Sequence, residues 1–371
     1  MTTSATARPT SVSAGLPDFP WDVLEPAKAR AAAHPDGLVD LSIGTPVDPV
    51  PAVIQQALAA AADAPGYPQT MGTPALRAAL VSYVADRLGA QVGPESVLPT
   101  IGSKELVAAL PTQLGLGPGD TVVIPTVCYP SYEVGARLAG ATVVRSDSVV
   151  ALGPARPRLI WVNSPGNPHG RVLPAAHLRK VVEWARSVGA VVASDECYLE
   201  LGYDTAPVSI LDPAVCDGSH EGVLAVHSLS KRSNLAGYRA GFVAGDPAIV
   251  GELLAVRKHA GLMVPTPVQA AMVAALSDRA HAAEQRSRYA ARRELLRAAV
   301  LGAGFTIDHS EAGLYLWATR DEDCWSTVEW LADRGILAAP GSFYGPAGER
   351  HVRLALTASD ERIAAAAARL G

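Results

Sequence analysis

The sequence predicts an α/β fold built around a mainly parallel β-sheet that is covered by helices on both faces. Between about residues 95 and 245, short apolar runs alternate with stretches of helical periodicity. Most of the apolar runs are continuous, which is typical of strands that are buried on both faces. Alternation of such strands with helices favours a parallel sheet, because each strand then returns through a crossover helix.

Seven apolar runs in this region are predicted strands. They are residues 97–100, 121–124, 141–144, 159–162, 190–193, 224–226 and 240–243. Helices are predicted between most of them, as at 175–188, where Leu178, Val181 and Val182 fall on one face. A seven-stranded sheet flanked by helices is therefore expected.

After Pro265 and Pro267 the pattern changes, and it predicts a smaller α+β domain. Its predicted elements are one long helix at 268–301, strands at 314–317 and 351–356, and closing helices near 325–334 and 359–369. The segment before about residue 45 is expected to return and pack on this domain.

The length of 371 residues is enough for about two domains. We expect residues 1–44 to form an N-terminal arm and part of the small domain. Residues 45–265 are expected to form the large domain, and residues 266–371 the small C-terminal domain. Residues 1–16 are rich in Ser, Thr and Ala, lack the apolar stretch of a targeting signal and are expected to form a frayed tail.

Composition excludes several classes of function. The net charge of −5 provides no basic surface for nucleic acid. No apolar run approaches the roughly 18 residues that a membrane helix needs. Four scattered cysteines without a CxxC pair favour reduced thiols, a cytoplasmic location and no metal site.

Candidate functional residues follow the predicted strands, where ligands of open parallel sheets bind. Gly102, Ser103 and Lys104 open a helix whose first amide groups favour a phosphate, although an ordinary helix cap has the same pattern. Tyr129 follows the next strand and is suited to stack on an aromatic ring or to fill the core.

Two further strands end in polar residues. The turn-rich loop at 163–170 contains Asn163 and Asn167, which could bind a hydroxyl or a carboxylate, or could simply be loop residues. Asp195 ends a buried strand, where a carboxylate is costly unless it is paired. A protonated pyridine nitrogen would be such a partner.

The most informative motif follows the strand at 224–226. It places Ser228 and Ser230 beside Lys231, with Arg239 eight positions later. Lysine can form a Schiff base with an aldehyde, and the hydroxyls and the arginine can hold a phosphate. A solvated lysine in a polar turn is the alternative for this motif alone, but five such features at consecutive strand ends are a much rarer coincidence.

On these residues the chain resembles the fold-type I, class I and II aminotransferases that use pyridoxal 5′-phosphate. The resemblance runs from about Gly44 to the end, and its specific parts are the Ser-x-Ser-Lys…Gly-x-Arg and Asn-Pro…Asp-x-x-Tyr blocks. It implies an enzyme with amino-acid and 2-oxo-acid substrates, and a homodimer with shared active sites.

The resemblance also implies roles for the residues that match. Lys231, Asp195 and Tyr198 would be catalytic: Lys231 forms the Schiff base and moves the proton, and Asp195 pairs with the ring nitrogen. Tyr198 and Asn167 would bind the ring oxygen, and Tyr129 would lie over the ring.

Two further groups of residues match binding positions of the family. The phosphate would be held by Gly102, Ser103, Lys104, Ser228, Ser230, Arg239 and, from the neighbouring subunit, Tyr67. The substrate α-carboxylate would be held by Gly44, Asn167 and Arg353. An arginine suits this role because it can donate two parallel hydrogen bonds to a carboxylate.

A finer resemblance is to the succinyldiaminopimelate transaminases of the actinobacterial type, carried by segments 16–22, 35–42, 66–70 and 230–234. It implies ping-pong exchange of an amino group between N-succinyl-LL-2,6-diaminopimelate and 2-oxoglutarate, in lysine and diaminopimelate biosynthesis. No residue identifies itself as the clamp for the distal succinyl carboxylate; Arg232, Lys104 and Arg257 are the candidates.

Other functions remain open from the sequence. Another amino-acid aminotransferase or a carbon–sulfur lyase of the same fold would share the same lysine, aspartate and arginine. A non-catalytic effector module is disfavoured because no basic helix-turn-helix segment precedes the fold, and intact Lys231 and Asp195 argue against an inactive relative. His169 and His227 are interpreted as structural, since neither has an evident partner acid or metal ligand.

Overall fold

The structure is a computed structural model, and it describes residues 12–371. Most of the tail expected at residues 1–16, and part of the expected N-terminal arm, therefore lie outside the described residues. Within residues 12–371, no helix is both long and apolar enough to cross a membrane.

The β-strands fall into one large and two small sheets. In chain order they are β1 (Val39–Asp40), β2 (Val97–Ile101), β3 (Thr121–Ile124), β4 (Thr142–Arg145), β5 (Leu159–Asn163), β6 (Val191–Asp195), β7 (Val223–Ser228), β8 (Ala240–Gly245), β9 (Thr306–Ile307), β10 (Tyr315–Thr319), β11 (Ile336–Leu337), β12 (Ala339–Pro340) and β13 (Val352–Ala355).

The α-helices occupy the connections between the strands and both ends of the described chain. They are α1 (Glu25–Ala32), α2 (Ala52–Ala60), α3 (Pro74–Leu88), α4 (Gly102–Gln113), α5 (Ser131–Leu138), α6 (Ala175–Val188), α7 (Pro213–Cys216), α8 (Pro247–Ala260), α9 (Thr266–Ser277), α10 (Ala280–Gly302), α11 (Cys324–Ala332) and α12 (Asp360–Leu370).

The large sheet has seven strands in the order β2-β8-β7-β6-β5-β3-β4. Only β8 runs antiparallel to its neighbours, so the carboxyl ends of the other six strands share one edge. This confirms the predicted α/β fold with a mainly parallel seven-stranded sheet.

Helices cover both faces of this sheet, as the continuous apolar strands predict. Buried residues of α3, α6 and α9 pack on one face, and those of α4, α5 and α8 pack on the other. Neighbouring strand residues such as Ile160 and Trp161 belong to opposite layers, because successive side chains point to opposite faces.

Helix α6 shows how the sequence determines a local element. Its apolar positions Leu178, Val181, Val182 and Ala185 are all buried. The helix ends where Gly189 adopts a left-handed φ of 73°, a conformation that glycine reaches without steric cost.

The predicted single helix at 268–301 is wrong, because the structure has two helices, α9 and α10, with a break at Asp278. The backbone of Asp278 is extended, with φ −88° and ψ 117°. Its carboxylate accepts a hydrogen bond from the Ala280 amide at 2.9 Å. A carboxylate that caps a new first turn in this way ends one helix and begins the next.

The four-stranded sheet, called the smaller sheet below, is antiparallel, with the order β12-β13-β10-β9. Trp317 of β10 lies opposite Arg353 of β13 in its register. The N-terminal segment joins this region through β1, which pairs in parallel with β11, and Leu24, Val39 and Leu41 share one apolar core with the smaller sheet. The division into domains at residues 44 and 265 stays a prediction.

Candidate active site

A cavity of about 330 Å³ lies between the carboxyl ends of the large sheet and residues of the smaller sheet. The predicted site residues that line it are Gly44, Ser103, Lys104, Tyr129, Asn167, Asp195, Tyr198, Ser230, Lys231, Arg239 and Arg353. The structure therefore brings together residues that are up to 309 positions apart, from Gly44 to Arg353.

Three predicted residues do not line this cavity. Gly102 lies next to Arg239 and Ser228 lies next to Ser230, and both of these neighbours line the cavity. Tyr67 is 95% exposed and contributes nothing to the cavity of its own chain.

One end of the cavity is suited to an anion. Helix α4 begins at Gly102, and no side chain of residues 12–371 caps its first turn, so its first amide groups are available to a ligand. Buried Ser230 lines the same cavity, and buried Ser228 lies next to it, where its hydroxyl accepts a hydrogen bond from the Ser230 amide at 3.1 Å. Amide groups and hydroxyls converging at a helix start can together hold a phosphate.

Arg239 adds a positive charge to this anion end. Its guanidinium lies so close to Gly102 that a β-carbon on Gly102 would overlap it. Gly102 has φ +70°, a conformation that favours glycine, and a side chain at this position would displace the guanidinium. The Arg239 Nη1 atom donates to the Ala236 carbonyl at 2.9 Å, which fixes the guanidinium at this end.

Lys231 lines the cavity immediately after β7. Its carbonyl accepts a hydrogen bond from the Tyr289 hydroxyl at 3.3 Å, which anchors its backbone. Within the described part of the chain, its amine has neither a hydrogen-bond partner nor an ion-pair partner. The amine is therefore available to react with a ligand in the cavity.

Asp195 ends β6 with only 7% of its surface exposed. One carboxylate oxygen accepts from the Tyr132 hydroxyl at 2.8 Å, and the other accepts from the Cys197 amide at 3.2 Å. Burial, and next the Asp195 charge, raise the pKa of Tyr132 well above its usual value, so Tyr132 remains a donor. No cation pairs with this carboxylate among residues 12–371, which leaves its charge for a cationic ligand group.

The loop after β5 is held in place by Asn163. Asn163 lies opposite Asp195 in the sheet register, and its side-chain amide donates to the Asp195 carbonyl at 2.8 Å. Its side-chain oxygen accepts from the Asn167 amide at 2.7 Å. The sheet thus fixes Asn167 at the cavity wall.

Arg353 lines the cavity at the end formed by the smaller sheet and is only 2% exposed. It donates to the Ser42 carbonyl at 2.6 Å and to the Asn167 side-chain oxygen at 3.1 Å, while its Nε atom has no acceptor in residues 12–371. Nor does any carboxylate of this part of the chain pair with it. A buried cation without an anion is unfavourable, so this end is suited to a ligand carboxylate.

Sequence reasoning missed two tyrosines at the site. Tyr132 stacks on Trp161 at 4.9 Å between ring centroids and binds Asp195. Tyr315 lines the cavity and lies 3.2 Å from the Tyr198 hydroxyl. Spacing provided a signal for Tyr132, because it lies three residues after Tyr129 at a helix start, where side chains at i and i+3 are neighbours.

Other unpredicted residues also line the cavity, mostly from the N-terminal segment. They are Phe19, Trp21, Ile43, Thr45 and Cys197. Burial, and next the Asp195 charge, raise the pKa of the Cys197 thiol well above its usual value, so this thiol is neutral.

Two of the three candidates for binding the distal carboxylate are paired with glutamates outside the cavity. Arg257 is fully buried and binds Glu105 through two hydrogen bonds of 2.9 Å. Arg232 is buried and pairs with Glu200. Only Lys104 lines the cavity; its amine lies 5.8 Å from the Phe19 ring and 5.9 Å from the Tyr129 ring.

The two histidines near the strand ends lie outside this cavity. His227 does have a partner acid, contrary to the sequence interpretation: its Nε2 atom lies 3.3 Å from Glu196, and both side chains are buried. Its ring stacks on Phe242 at 4.9 Å. No hydrogen bond joins the His227 Nε2 atom to Glu196 within residues 12–371, so His227 contributes to packing at the end of β7, which is a structural role.

His169 lines a second cavity, of about 280 Å³, behind the 163–170 loop. Its Nδ1 atom accepts a hydrogen bond from the Arg171 amide at 3.1 Å, which requires that nitrogen to be unprotonated. Burial, and next the nearby His309, lower the pKa of His169 to about 4.

This lowered pKa predicts a specific loss of stability in acid. The neutral ring is favoured by the folded state, so stability is complete above the unfolded pKa of about 6.5 and is lost as the pH falls towards 4. Between pH 7 and pH 5 we expect His169 to cost about 1 to 2 kcal/mol. His169→Asn keeps an acceptor for the Arg171 amide, and chemical denaturation at both pH values should show a smaller loss; an equal loss in both proteins would contradict this assignment.

The cavity fits pyridoxal 5′-phosphate by its own chemistry. It combines an uncapped helix start with an arginine for a phosphate, a buried carboxylate for a ring cation and a free amine for an aldehyde. The unpaired Arg353 lines the same cavity, where an amino-acid carboxylate can bind.

Comparisons with known proteins identify the family. The model of the family "aminotransferase class I and II" matches residues 36–370. A probable aminotransferase of Mycobacterium tuberculosis is 65% identical over 360 residues, which cover 97% of this chain and 86% of that protein. The 4-dedimethylamino-4-oxo-anhydrotetracycline transaminase of Streptomyces rimosus is 63% identical over 355 residues, which cover 96% of this chain and 99% of that one.

Solved structures show the same fold. A probable N-succinyldiaminopimelate aminotransferase from Thermus thermophilus superposes with a TM-score of 0.86 at 28% identity, covering 95% of this chain and 99% of that one. The chain belongs to the class I and II aminotransferases, which have the fold-type I architecture and depend on pyridoxal 5′-phosphate.

Proposed function

We propose that the chain transfers an amino group between N-succinyl-LL-2,6-diaminopimelate and 2-oxoglutarate. The observation that carries this proposal is that, beside Lys231 and Arg239, two further cations that line the cavity, buried Arg353 and Lys104, have no carboxylate partner in residues 12–371. Both proposed substrates carry a carboxylate at the reacting end and another at the far end. The name of the Thermus thermophilus structure also supports this substrate class.

The proposed mechanism assigns a task to each side chain. Pyridoxal 5′-phosphate, when bound, supplies an aldehyde that takes up the amino group and a ring that accepts electrons as the substrate Cα–H bond breaks. The Lys231 amine would move the proton between the substrate Cα and the aldehyde carbon of the cofactor. Asp195 keeps a proton on the ring nitrogen, and Tyr198 and Asn167 bind the ring oxygen.

The remaining side chains bind and orient. The first turn of α4, Ser228, Ser230 and Arg239 hold the phosphate, and Tyr129 covers the ring. Arg353 and Asn167, beside Gly44, hold the substrate α-carboxylate, which fixes the Cα–H bond near Lys231.

Lys104→Gln tests the assignment of the distal carboxylate. Glutamate and N-succinyl-2-amino-6-oxopimelate should release 2-oxoglutarate with the unchanged protein. In the variant, kcat/KM for these substrates should fall about tenfold, or about 1.4 kcal/mol, because one charge-assisted contact is lost. Amino acids without a distal carboxylate, such as alanine, should change less than about twofold.

Lys180→Gln is the matched control, because Lys180 is an exposed residue of α6, and this substitution should leave kcat/KM unchanged. An equal loss for alanine and glutamate would contradict the role of Lys104. Preference by tenfold or more for aspartate, alanine or an aromatic amino acid would contradict the proposed substrate.

A second candidate substrate class is a polycyclic ketone. It is favoured by the 63% identity with the Streptomyces rimosus transaminase over nearly the whole of both chains. Transfer from glutamate to the tetracyclic ketone, without transfer to the succinylated oxopimelate, would favour this candidate. Release of pyruvate and ammonia from cystathionine would instead indicate a carbon–sulfur lyase.

We also propose a homodimer in which Tyr67 serves the site of the partner, because this tyrosine is 95% exposed in the single chain. Co-expression of a Tyr67→Ala chain with a Lys231→Ala chain tests it. Half of the dimers are then mixed, and each has one intact site, so activity should recover to about a quarter of normal. If Tyr67 served its own chain, the mixture would show no recovery.

A further inference from the structure

Tyr315 occupies a central position in the site. It lies on β10, is only 4% exposed and lines the cavity. It contacts three residues to which the proposed function gives separate tasks, namely Tyr198, Arg353 and Gly44. The function proposed above gives Tyr315 no task.

The hydroxyl of Tyr315 lies 3.2 Å from the hydroxyl of Tyr198, and the two rings meet edge to face, with centroids 5.9 Å apart. Each phenol has one hydrogen to donate. Burial, and next the neighbouring Tyr315, raise the pKa of Tyr198 well above its usual value, so Tyr198 keeps its proton. When Tyr198 donates into the cavity, its oxygen is free to accept from Tyr315.

The ring of Tyr315 contacts a different part of the site. The guanidinium carbon of Arg353 lies 3.9 Å from the centroid of this ring, and Tyr344 flanks the guanidinium at 5.0 Å. Stacking on an aromatic face stabilises the cation and fixes its plane. The ring therefore holds Arg353 in one orientation.

The third contact is between the Tyr315 hydroxyl and Gly44, and it limits which residue can occupy position 44. A β-carbon on Gly44 would overlap the Tyr315 hydroxyl. Gly44 thus leaves the space that the hydroxyl occupies, so Gly44 and Tyr198 adjoin the hydroxyl while Arg353 contacts the ring.

We propose that Tyr315 is a positioning residue with two separable effects: its hydroxyl acts through Tyr198 on the cofactor ring oxygen, and its ring acts through Arg353 on the substrate α-carboxylate. This inference rests on the proposed function. The hydroxyls form a chain of donors from Tyr315 to Tyr198 to the ring oxygen, and successive hydrogen bonds strengthen one another.

The donor chain has a measurable effect in the protein loaded with cofactor. It withdraws negative charge from the ring oxygen, so a proton on the Lys231 nitrogen is bound less tightly. The visible absorption of the bound cofactor changes with pH as this nitrogen loses its proton. The pH at the midpoint of that change, measured without substrate, should therefore rise when the Tyr315 hydroxyl is removed.

Two substitutions separate the effects. Tyr315→Phe keeps the ring over Arg353, so the midpoint should rise by about half a pH unit while KM for glutamate stays within about twofold. Tyr315→Leu removes the hydroxyl and the ring, so the midpoint should rise equally and KM should increase about tenfold.

Tyr203→Phe is the matched control, because it removes a tyrosine hydroxyl that donates to the Gly313 carbonyl at 2.8 Å beneath Arg293, away from the cavity. It should leave midpoint and KM unchanged. In a Tyr198→Phe background, Tyr315→Phe should no longer shift the midpoint, because its effect passes through Tyr198.

An unchanged midpoint in Tyr315→Phe would overturn the inference. So would a shift that persists without Tyr198, or a KM in Tyr315→Phe as high as in Tyr315→Leu. These failures differ from failure of the proposed function, in which the unchanged protein would not transfer amino groups between the proposed substrates.

Discussion

Lys231→Ala is expected to lower kcat/KM for amino transfer by about 10⁴-fold, the largest effect of any single substitution in the site. The Lys231 amine lines the cavity and has no hydrogen-bond or ion-pair partner in residues 12–371, so no other group competes with a ligand for it. In the proposed function, alanine removes both the amine that would bond to the cofactor and the base that would move the proton. The measurement is steady-state release of 2-oxoglutarate from glutamate.

Lys180→Ala provides the control, because this lysine lies on the outer helix α6. It should retain normal activity. Normal melting of Lys231→Ala would show that the loss is chemical and not a loss of folding. If Lys231→Ala kept more than about a tenth of the activity, its activation barrier would be higher by less than about 1.4 kcal/mol, which would contradict the role of Lys231.

Asp195→Asn is expected to lower kcat/KM by about 10³-fold, which corresponds to about 4 kcal/mol. The amide has the shape of the carboxylate and can still accept a hydrogen bond from the Tyr132 hydroxyl, which lies 2.8 Å from the carboxylate in the unchanged protein. It carries no charge, so it cannot keep the ring nitrogen protonated. The cofactor should also bind more weakly in an absorbance titration, since a buried pair of opposite charges is lost.

Asp212→Asn is the control, since Asp212 caps the short helix α7 away from the cavity and asparagine caps equally well. Its kcat/KM should match that of the unchanged protein. An Asp195→Asn protein with normal turnover would mean that Asp195 does not pair with the ring.

The positions of the site residues could be predicted because they follow strands that are continuous apolar runs. In a parallel sheet such runs end at one edge, so Asp195 and the loop after β5 had to be neighbours once the strands were correct. The observed register, with Asn163 opposite Asp195, has this arrangement. The roles of these residues stay proposals.

The contacts between distant segments could not be predicted in the same way. Tyr315 reaches Tyr198 only because the smaller sheet packs over the cavity, and no local pattern records that packing. Arg257 and Glu105 are 152 residues apart, and their pairing removed one candidate for the distal carboxylate. Periodicity shows which face of an element is buried but not which partner it meets.

The break between α9 and α10 has a local cause that periodicity does not reveal. Alanine-rich sequence on both sides favours helix throughout. Asp278 ends the first helix because its side chain gains a hydrogen bond to the Ala280 amide that an unbroken helix would not offer.

Borohydride reduction of the purified protein with pyridoxal 5′-phosphate tests whether Lys231 is the residue that bonds to the cofactor. We expect a yellow absorption band that disappears on reduction, and we expect peptide mapping by mass spectrometry to find the cofactor attached to Lys231. Attachment to another lysine, or no attachment at all, would show that Lys231 does not have this role.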